Sequence, residues 1–328
     1  MLNQGYFLIS LDFELQWGRF DKVALNEERK QELENTLVLI PKLLKLFEKY
    51  EVAATWAIVG MLLNKDRDEW IDNLPTCLPN YDKAKFSSYE YYKNISEPKN
   101  FDNCFFALNT IKTIANAPLQ EIASHTYSHY YCLEKWQTDK EFLDDLLSAK
   151  KIAKKNKLNF DSLVFPRNQF NNEYYKKCSL LGLQAIRTNP ENWYWNTKKK
   201  DTIFKRLFRL IDTFNFLSND KCVTLYYFLN QKSKPFLLPS SRFLRAWMPN
   251  NSLGNFLKIK RICFEMNYAA KHKKYYHIWW HPENFGKYPE KCLMETEAIL
   301  KHYKKLNEKY QFKSITMSNF SNLIQKNK

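Results

Sequence analysis

The stretch "YFLISLDFEL", residues 6–15, joins a short apolar run to a pair of acids. Tyr6 to Leu11 has the pattern of a strand that is buried on both faces. Asp12 and Glu14 follow where that strand ends, and residues two apart on a strand face the same side. The stretch therefore predicts a core strand that delivers two carboxylates to one rim of a sheet.

Further strands and helices alternate along the chain outward from this strand. The segments that predict strands are "VAATWAIVG", "QEIA", "DSLVFP", "QAIRT", "YYHIWWH" and "FKSIT". Helices are expected between them, among them one that Asn26 caps, one that begins in capping-box spacing at Thr138 and Glu141, and a basic one near 201–217. This alternation predicts a parallel sheet covered by helices, open or closed into a barrel. We expect one domain over residues 1–328, with insertions near 64–104 and 190–270.

Composition limits the classes of partner and compartment. The chain of 328 residues has a formal net charge of +16, but its lysines are scattered and form no nucleic-acid motif. We therefore expect no nucleic-acid partner, and an anionic substrate or an anionic membrane surface remains a candidate. Seven cysteines without a CxxC pair predict reduced thiols and a cytoplasmic location. The amino terminus reads as a first core strand rather than a signal peptide, and no apolar run is long enough to span a bilayer.

Charged and metal-binding side chains follow several of the predicted strands. In parallel α/β folds, ligands collect at the carboxyl ends of the strands. The residues placed there are Asp12, Glu14, His125, His129, Arg167, Arg187 and His281. Their shared placement predicts a site at one rim.

The stretch "EIASHTYSHY", residues 121–130, carries two of the six histidines. The spacing of His125 and His129 would put both rings on one face of a helical turn. With one carboxylate they would make a three-ligand, zinc-type site that keeps a position open for water. Either Asp12 or Glu14 can be that ligand, and the other acid is then the base. Two ordinary polar residues on a turn are the alternative interpretation of the histidines.

Four motifs in order, "ISLDFELQWG", "EIASHTYSHY", "LVFPRNQ" and "IWWHPENF", resemble those of the polysaccharide deacetylase family (NodB homology, carbohydrate esterase 4). The similarity spans about residues 5–290 and is closer to a subgroup with Asp-x-Glu or Asp-x-Asp in the first motif, found in bacterial surface-polysaccharide gene clusters. The resemblance implies a distorted (β/α)7-type barrel with insertions. It also implies a divalent metal, with Zn²⁺ expected, and hydrolysis of the N-acetyl group of an amino sugar.

The resemblance also assigns roles to single residues. It implies Asp12 as the base that activates the attacking water and His281 as the acid that protonates the leaving amine. Arg167 would hold and tune the Asp12 carboxylate. The implied metal ligands are Glu14, His125 and His129. Because Phe13 separates the two acids of the first motif, the division between base and ligand stays open.

Substrate contacts are expected from aromatic and basic residues. Trp193, in "ENWYW", resembles the family's tryptophan that walls the pocket of the acid, and Arg187 is a candidate at its strand end. Strand alternation puts Trp279 and Trp280 on opposite faces, so at most one faces the cleft, and we assign Trp280 to it. The basic stretches "RLFRL" and "SRFLRAW" are candidates for a diphosphate, although a solvated helix face also explains the first.

The predicted function is a cytoplasmic, metal-dependent deacetylase acting on a nucleotide-linked or lipid-linked amino sugar, a precursor of a surface polysaccharide such as O-antigen or capsule. One alternative is hydrolysis of another carbon–nitrogen bond, as in a formamido sugar or a cyclic amide. The other is a carbohydrate-binding relative without catalytic activity.

Overall fold

The computed structural model describes residues 3–96, 98–190, 192–196, 202–214, 221–232 and 234–328. Nine strands in these ranges belong to one sheet, and the pairings between them are parallel. They are β1 (Tyr6–Phe13), β2 (Ala54–Ile58), β3 (Gln120–Ser124), β4 (Ser162–Val164), β5 (Ala185–Thr188), β6 (Phe236–Pro239), β7 (Arg242–Phe243), β8 (Tyr275–Trp280) and β9 (Lys313–Ser314).

The sheet curls until its two edges meet. The strand order is β6-β5-β4-β3-β2-β1-β8-β7, with β9 beside β1. The edge strands β6 and β7 are separated only by Ser240 and Ser241. The Ser240 amide donates to Thr188 O beside β6 at 2.9 Å, and the Ser241 amide donates to His277 O on β8 at 2.7 Å. The predicted distorted (β/α) barrel is therefore confirmed, and one extended segment closes it.

Helices cover the outer face of the sheet. They are α1 (Glu27–Lys49), α2 (Arg67–Asp72), α3 (Ser88–Lys93), α4 (Asp102–Phe105), α5 (Leu108–Asn116), α6 (Asp139–Lys155), α7 (Asn172–Leu180), α8 (Ile203–Phe214), α9 (Leu225–Leu229), α10 (Ser252–Lys271), α11 (Pro289–Tyr310) and α12 (Met317–Lys326). Local signals start several of them as predicted: Asn26 caps α1, and Thr138 with Glu141 forms a complete capping box on α6. The predicted basic helix is α8, and residues 201 and 215–217 of that prediction lie outside the described ranges.

The alternation of side chains along each strand decides which residues reach the barrel interior. On β1, Phe7, Ile9, Leu11 and Phe13 pack outward into the main core beneath the helices. Leu8 belongs to the inner cluster, so Ser10 and Asp12 face the interior with it. On β8 the same rule sends Trp280 outward into the main core. The strand register thus places Asp12 inside the barrel, near the carboxyl end of β1.

The first predicted insertion folds into the short helices α2, α3 and α4. Their aromatic residues Trp70, Tyr89 and Tyr92 are buried, and the Trp70 and Tyr92 rings meet at 4.9 Å. In the part of the chain that the structure describes, we find no helix long and apolar enough to cross a membrane.

Candidate metal centre and active site

A cleft of about 830 Å³ opens at the carboxyl ends of the strands. Side chains from the ends of β1 and β8 and from the turns after β3 and β4 line it. The lining residues that bear on chemistry are Asp12, Glu14, His129, Arg167, Trp195, Trp279, His281 and Glu283. The strand ends of the parallel sheet therefore meet where the sequence predicted the site.

Three predicted metal ligands converge at the base of this cleft. Glu14 Oε1 lies 2.9 Å from His125 Nε2 and 3.2 Å from His129 Nε2, and all three residues are buried. His125 Nδ1 is 2.8 Å from the Val164 carbonyl oxygen, which can only accept, so the ring proton sits on Nδ1. The lone pair of His125 Nε2 is then directed at the site, as a metal ligand requires. Two imidazole nitrogens and one carboxylate oxygen fit a zinc-type site.

The electrostatics of the trio favour an anionic Glu14 carboxylate and a neutral His129 ring. Burial of Glu14 acts to raise its pKa, but its electrostatic interactions with His281 and His129 and its close contacts with the His125 and His129 rings outweigh burial, so that the pKa lies well below its usual value. Burial lowers the pKa of His129 to about 4, against the attraction of Glu14. An anionic carboxylate beside a neutral imidazole is a combination that binds a divalent cation.

The histidine loop, residues 125–129, is not the helical turn that the spacing suggested. Thr126 and His129 adopt left-handed backbone conformations with φ of 62° and 58°, and these two turns bring the rings together. Asp145 on α6 holds the loop: its carboxylate accepts from the Tyr127 amide at 2.6 Å, the Ser128 amide at 3.1 Å and the Ser128 hydroxyl. Burial raises the pKa of Asp145 to about 6. Helix α6 thus holds the loop that carries the two candidate histidine ligands.

The guanidinium that holds Asp12 belongs to Arg187, not to Arg167 as predicted. Arg187 Nη1 donates to Asp12 Oδ1 at 2.6 Å, and Nη2 donates to Asp12 Oδ2 at 2.7 Å. Further bonds to Ser10 and Asn168 use the same two nitrogens. Arg187 is buried at the inward-facing end of β5, so the assignment of its side chain to substrate binding is also corrected.

Arg167 lies at the rim of the cleft. It follows β4 in a left-handed conformation with φ of 54°, which turns its side chain away from the barrel interior. Its guanidinium pairs with Asp21, lies 3.8 Å from Glu134 and stacks on the Tyr131 ring at 3.7 Å. This placement explains why it does not hold Asp12.

His281 stands over the two acids at the mouth of the cleft. Its Nε2 lies 3.7 Å from Asp12 Oδ2 and 3.6 Å from Glu14 Oε1, and the side chain is 26% exposed. Asn284 Nδ2 approaches Nδ1 at 3.4 Å, and the rings of Trp279 and Phe243 flank the imidazole. A half-buried ring in contact with both acids can exchange protons with a bound molecule.

Glu283 is a site residue that the sequence did not reveal. Its Oε1 accepts from the backbone amides of Glu14 and Leu15, both at 2.6 Å, where the chain turns out of β1 and Leu15 has φ of 48°. Burial and the charge of Glu14 raise the pKa of Glu283 to about 8. The two amides lie 269 and 268 residues away, so no local pattern pointed to this contact.

Two tryptophan assignments are corrected. Trp279 lines the cleft, whereas Trp280 is fully buried in the main core and stacks on Phe285, because it lies on the outer face of β8. Trp195 lines the cleft and meets Trp279 edge to face at 6.1 Å. Trp193 does not line it: the side chain is 54% exposed and packs on Phe208. Glu191 of the same motif lies outside the described residues.

A cationic wall, formed by Arg19, Lys22, Arg206, Arg209 and Arg245, lines the outer part of the cleft. Arg245 donates to Thr213 Oγ1 at 2.9 Å, and burial and the charge of Arg209 lower its pKa. Burial and the charge of Arg167 lower the pKa of Lys22. Both stretches named for an anion, "RLFRL" and "SRFLRAW", contribute to this wall, so the cleft suits an anionic ligand.

Comparison with protein families gives one match. Residues 36–186 match the model of the family described as polysaccharide deacetylase. This range contains His125, His129 and Arg167, and it ends before β8. No curated protein matches the chain.

Several solved structures share the fold. A candidate polysaccharide deacetylase from Mycobacterium smegmatis is 13% identical, with 99% of this chain and 92% of that chain covered and a TM-score of 0.59. A second candidate, from Pseudomonas aeruginosa PAO1, is 9% identical over 98% and 89% of the chains, with a TM-score of 0.53. A GH57-type branching enzyme from Pyrococcus horikoshii is 12% identical over 98% and 70%, with a TM-score of 0.54. Residues 36–186 therefore match the polysaccharide deacetylase family, and the chain shares its fold with solved structures that include two candidate members of that family.

Proposed function

We propose that the protein is a metal-dependent deacetylase that removes the N-acetyl group from an amino sugar of a surface-polysaccharide precursor. The observation that carries this proposal is the meeting of three groups at one rim. The three groups are the trio of Glu14, His125 and His129, the Asp12–Arg187 pair, and the His281 ring. His281 Nε2 lies within 4 Å of both Asp12 and Glu14 and so connects the pair with the trio. The cationic wall supports a precursor that carries phosphate, whether linked to a nucleotide or to a lipid.

The geometry supports Glu14 as the ligand and Asp12 as the base. Both imidazole Nε2 atoms approach Glu14 Oε1, whereas both oxygens of Asp12 accept from Arg187. Asp12, Glu14 and His281 also lie close enough together to form a metal site. Both Asp12 oxygens already accept hydrogen bonds from the Arg187 guanidinium, so Glu14 with the buried histidine pair is the better metal site.

In the proposed reaction, water adds to the acetyl carbonyl carbon and the bond from that carbon to nitrogen breaks. Zn²⁺ held by the trio would supply Lewis acidity that polarises the acetyl carbonyl. The Asp12 carboxylate, fixed in orientation by Arg187, takes a proton from the attacking water. His281 donates a proton from Nε2 to the leaving nitrogen, so that the sugar departs as an amine and acetate remains. Trp279 and Trp195 form an aromatic wall on which the sugar ring can lie.

The test combines metal analysis with a substrate panel. We expect about one zinc per chain in the wild type and loss of that zinc in a His125→Ala, His129→Ala double variant with an unchanged circular dichroism spectrum. Wild-type protein is then assayed on acetylated, formylated and cyclic amides of nucleotide-linked and lipid-linked sugars. Acetate release from an N-acetylated sugar supports the proposal. No metal uptake after supplementation overturns it, and turnover of formyl or cyclic amides alone replaces it with another carbon–nitrogen hydrolase.

We also propose that the protein works in the cytoplasm. The seven cysteines, all of which lie in the described ranges, form no disulfide, and four of them are buried. A chain with this many cysteines and no disulfide suits a reducing compartment. Cell fractionation with an epitope-tagged protein tests the proposal, and recovery outside the cytoplasmic membrane contradicts it.

A further inference from the structure

Helix α8 presents its apolar side to the outside of the molecule. Six of its residues are large, apolar and exposed: Ile203, Phe204, Leu207, Phe208, Leu210 and Ile211. On a helix they fall on one continuous face, the α8 apolar face. Ile203 is 77% exposed and Phe204 is 67% exposed. A helix on the surface of a soluble domain normally turns this face toward the core.

The polar side of α8 is the side that packs on the protein. Lys205, Asp212 and Thr213 are buried. Lys205 donates to the Asn196 carbonyl at 2.7 Å, and Asp212 pairs with Lys221 and with Arg242, the latter at 3.7 Å. These buried polar contacts fix the rotation of the helix about its axis. The exposed apolar face is therefore built into the fold.

This face is continuous with the mouth of the cleft. Arg206 and Arg209, from the opposite side of α8, line the cleft. Trp193 packs on Phe208 at 5.0 Å and is itself exposed, which extends the apolar face toward the turn Trp193–Trp195. In the same turn, Trp195 lines the cleft with the Arg209 guanidinium 5.5 Å from its ring. One helix thus joins an outward apolar surface to the cationic wall.

The charge around the face favours an anionic lipid surface as its occupant. The chain carries a formal net charge of +16. Helix α10, which contacts α8, adds exposed Leu253 and Phe256, with Lys260 5.3 Å from the Phe256 ring. Apolar side chains flanked by arginine and lysine are the composition of helices that lie in the interface of a membrane. A symmetric dimer through α8 would instead bring two cationic rims together, which costs energy.

We propose that the α8 apolar face, together with Trp193, inserts into the surface of an anionic bilayer and opens the cleft toward the headgroups. The substrate is then an amino sugar joined to a membrane lipid through phosphate, with the phosphate held by the cationic wall and the acyl amide at the metal site. The identity of the substrate rests on the proposed function, whereas the membrane contact does not.

The test measures binding of the full chain to vesicles by sedimentation. Wild-type protein is mixed with vesicles of phosphatidylglycerol and phosphatidylcholine, or of phosphatidylcholine alone, at low salt. A Phe204→Gln, Ile211→Gln double variant removes two residues of the face. A Val38→Gln, Leu180→Gln double variant removes two apolar residues elsewhere on the surface that are on average more exposed, 64% and 81% against 67% for Phe204 and 44% for Ile211. Circular dichroism and light scattering follow the fold and the oligomeric state of each.

We expect binding to the anionic vesicles, at least tenfold weaker binding by the α8 variant, and no change in the Val38/Leu180 control. Brominated lipids should quench wild-type fluorescence more than that of a Trp193→Phe variant. Equal vesicle binding by the two double variants overturns the proposal. It is also overturned if the wild type does not bind vesicles and instead forms a dimer that is lost only in the α8 variant. Acetate release from a water-soluble acetylated amino sugar is measured separately. Release without vesicle binding removes this inference alone, and vesicle binding without release from any acetylated sugar removes the proposed function alone.

Discussion

Two arginines at the rim show how much the direction of a side chain decides at the scale of a residue. Arg167 and Arg187 each follow a strand, and the sequence placed the first beside Asp12. The backbone of Arg167 is left-handed, which directs it to Asp21 and Tyr131, whereas Arg187 stays on the inward side of β5 and reaches Asp12 with both terminal nitrogens. A planar guanidinium that binds both carboxylate oxygens fixes the orientation of Asp12, the proposed base.

The first prediction compares the same substitution at both arginines. Arg187→Lys should lower kcat by roughly 10–100-fold, because a lysine cannot hold both oxygens of Asp12, and supporting contacts of this kind are worth about that much. Arg167→Lys should mainly raise KM, since Arg167 lines the cleft and does not touch the base. Steady-state kinetics with metal analysis of both variants checks this. Equal losses of kcat would contradict the assignment of Arg187 to Asp12.

The second prediction isolates the acid. His281→Gln should lower kcat on the N-acetylated sugar by about 10²–10⁴-fold, because the leaving nitrogen then lacks a proton donor. Hydrolysis of 4-nitrophenyl acetate should fall far less, since its phenolate leaves without protonation. The zinc content should be unchanged, as the trio at Glu14 is intact. A similar loss on both substrates would show that His281 acts in another way.

At the scale of elements, the histidine loop depends on a helix that contributes no ligand. Asp145 on α6 accepts two backbone amides and one hydroxyl of the loop, and His129 keeps its left-handed conformation within that frame. Because its pKa is raised to about 6, the folded state holds the proton of Asp145 more tightly than the unfolded chain does. Its contribution to stability is therefore full at low pH and is lost as pH rises through about 6.

The third prediction follows from this loss of stability with rising pH. Asp145→Asn should destabilise the metal-free protein by about 1–3 kcal/mol at pH 7, because the amide nitrogen then opposes the Ser128 amide. The difference in the free energy of unfolding between the variant and the wild type should grow by about 2–3 kcal/mol as pH falls from 7 toward 4, because only the wild type has a titrating carboxyl here. Urea unfolding at several pH values measures it. Asp144→Asn, one residue away on α6, is the matched control. A difference in the free energy of unfolding between Asp145→Asn and wild type that does not depend on pH, or that also appears in the control, would contradict this role.

At the scale of the whole molecule, regular periodicity predicted the fold, while contacts between distant segments decided the details of the site. Buried strands and capped helices are local signals, so the parallel sheet covered by helices and the ends of α1 and α6 could be predicted from them, whereas the closed barrel was implied by the family resemblance. The hydrogen bond from the Glu14 backbone amide to the Glu283 carboxylate joins opposite ends of the chain, and no local signal marks it. The choice between Trp279 and Trp280 required the register of β8. The outward apolar face of α8 depended on which buried partners fix its polar side.

The last prediction concerns the dependence of the whole barrel on the metal. The proposed ligands come from the residue after β1 and from the loop after β3, so a bound cation would tie two strand ends together, and its loss would leave Glu14 buried beside two rings. Because a ligand that binds only the folded state stabilises it, zinc at about 100 times its Kd should add about 3 kcal/mol. Chelation should therefore abolish acetate release and lower Tm by several degrees, and zinc should restore both. Differential scanning calorimetry with the His125→Ala, His129→Ala variant as control checks this, since that variant should show no shift with zinc. A wild-type Tm that is indifferent to chelator and zinc would contradict a metal at this site.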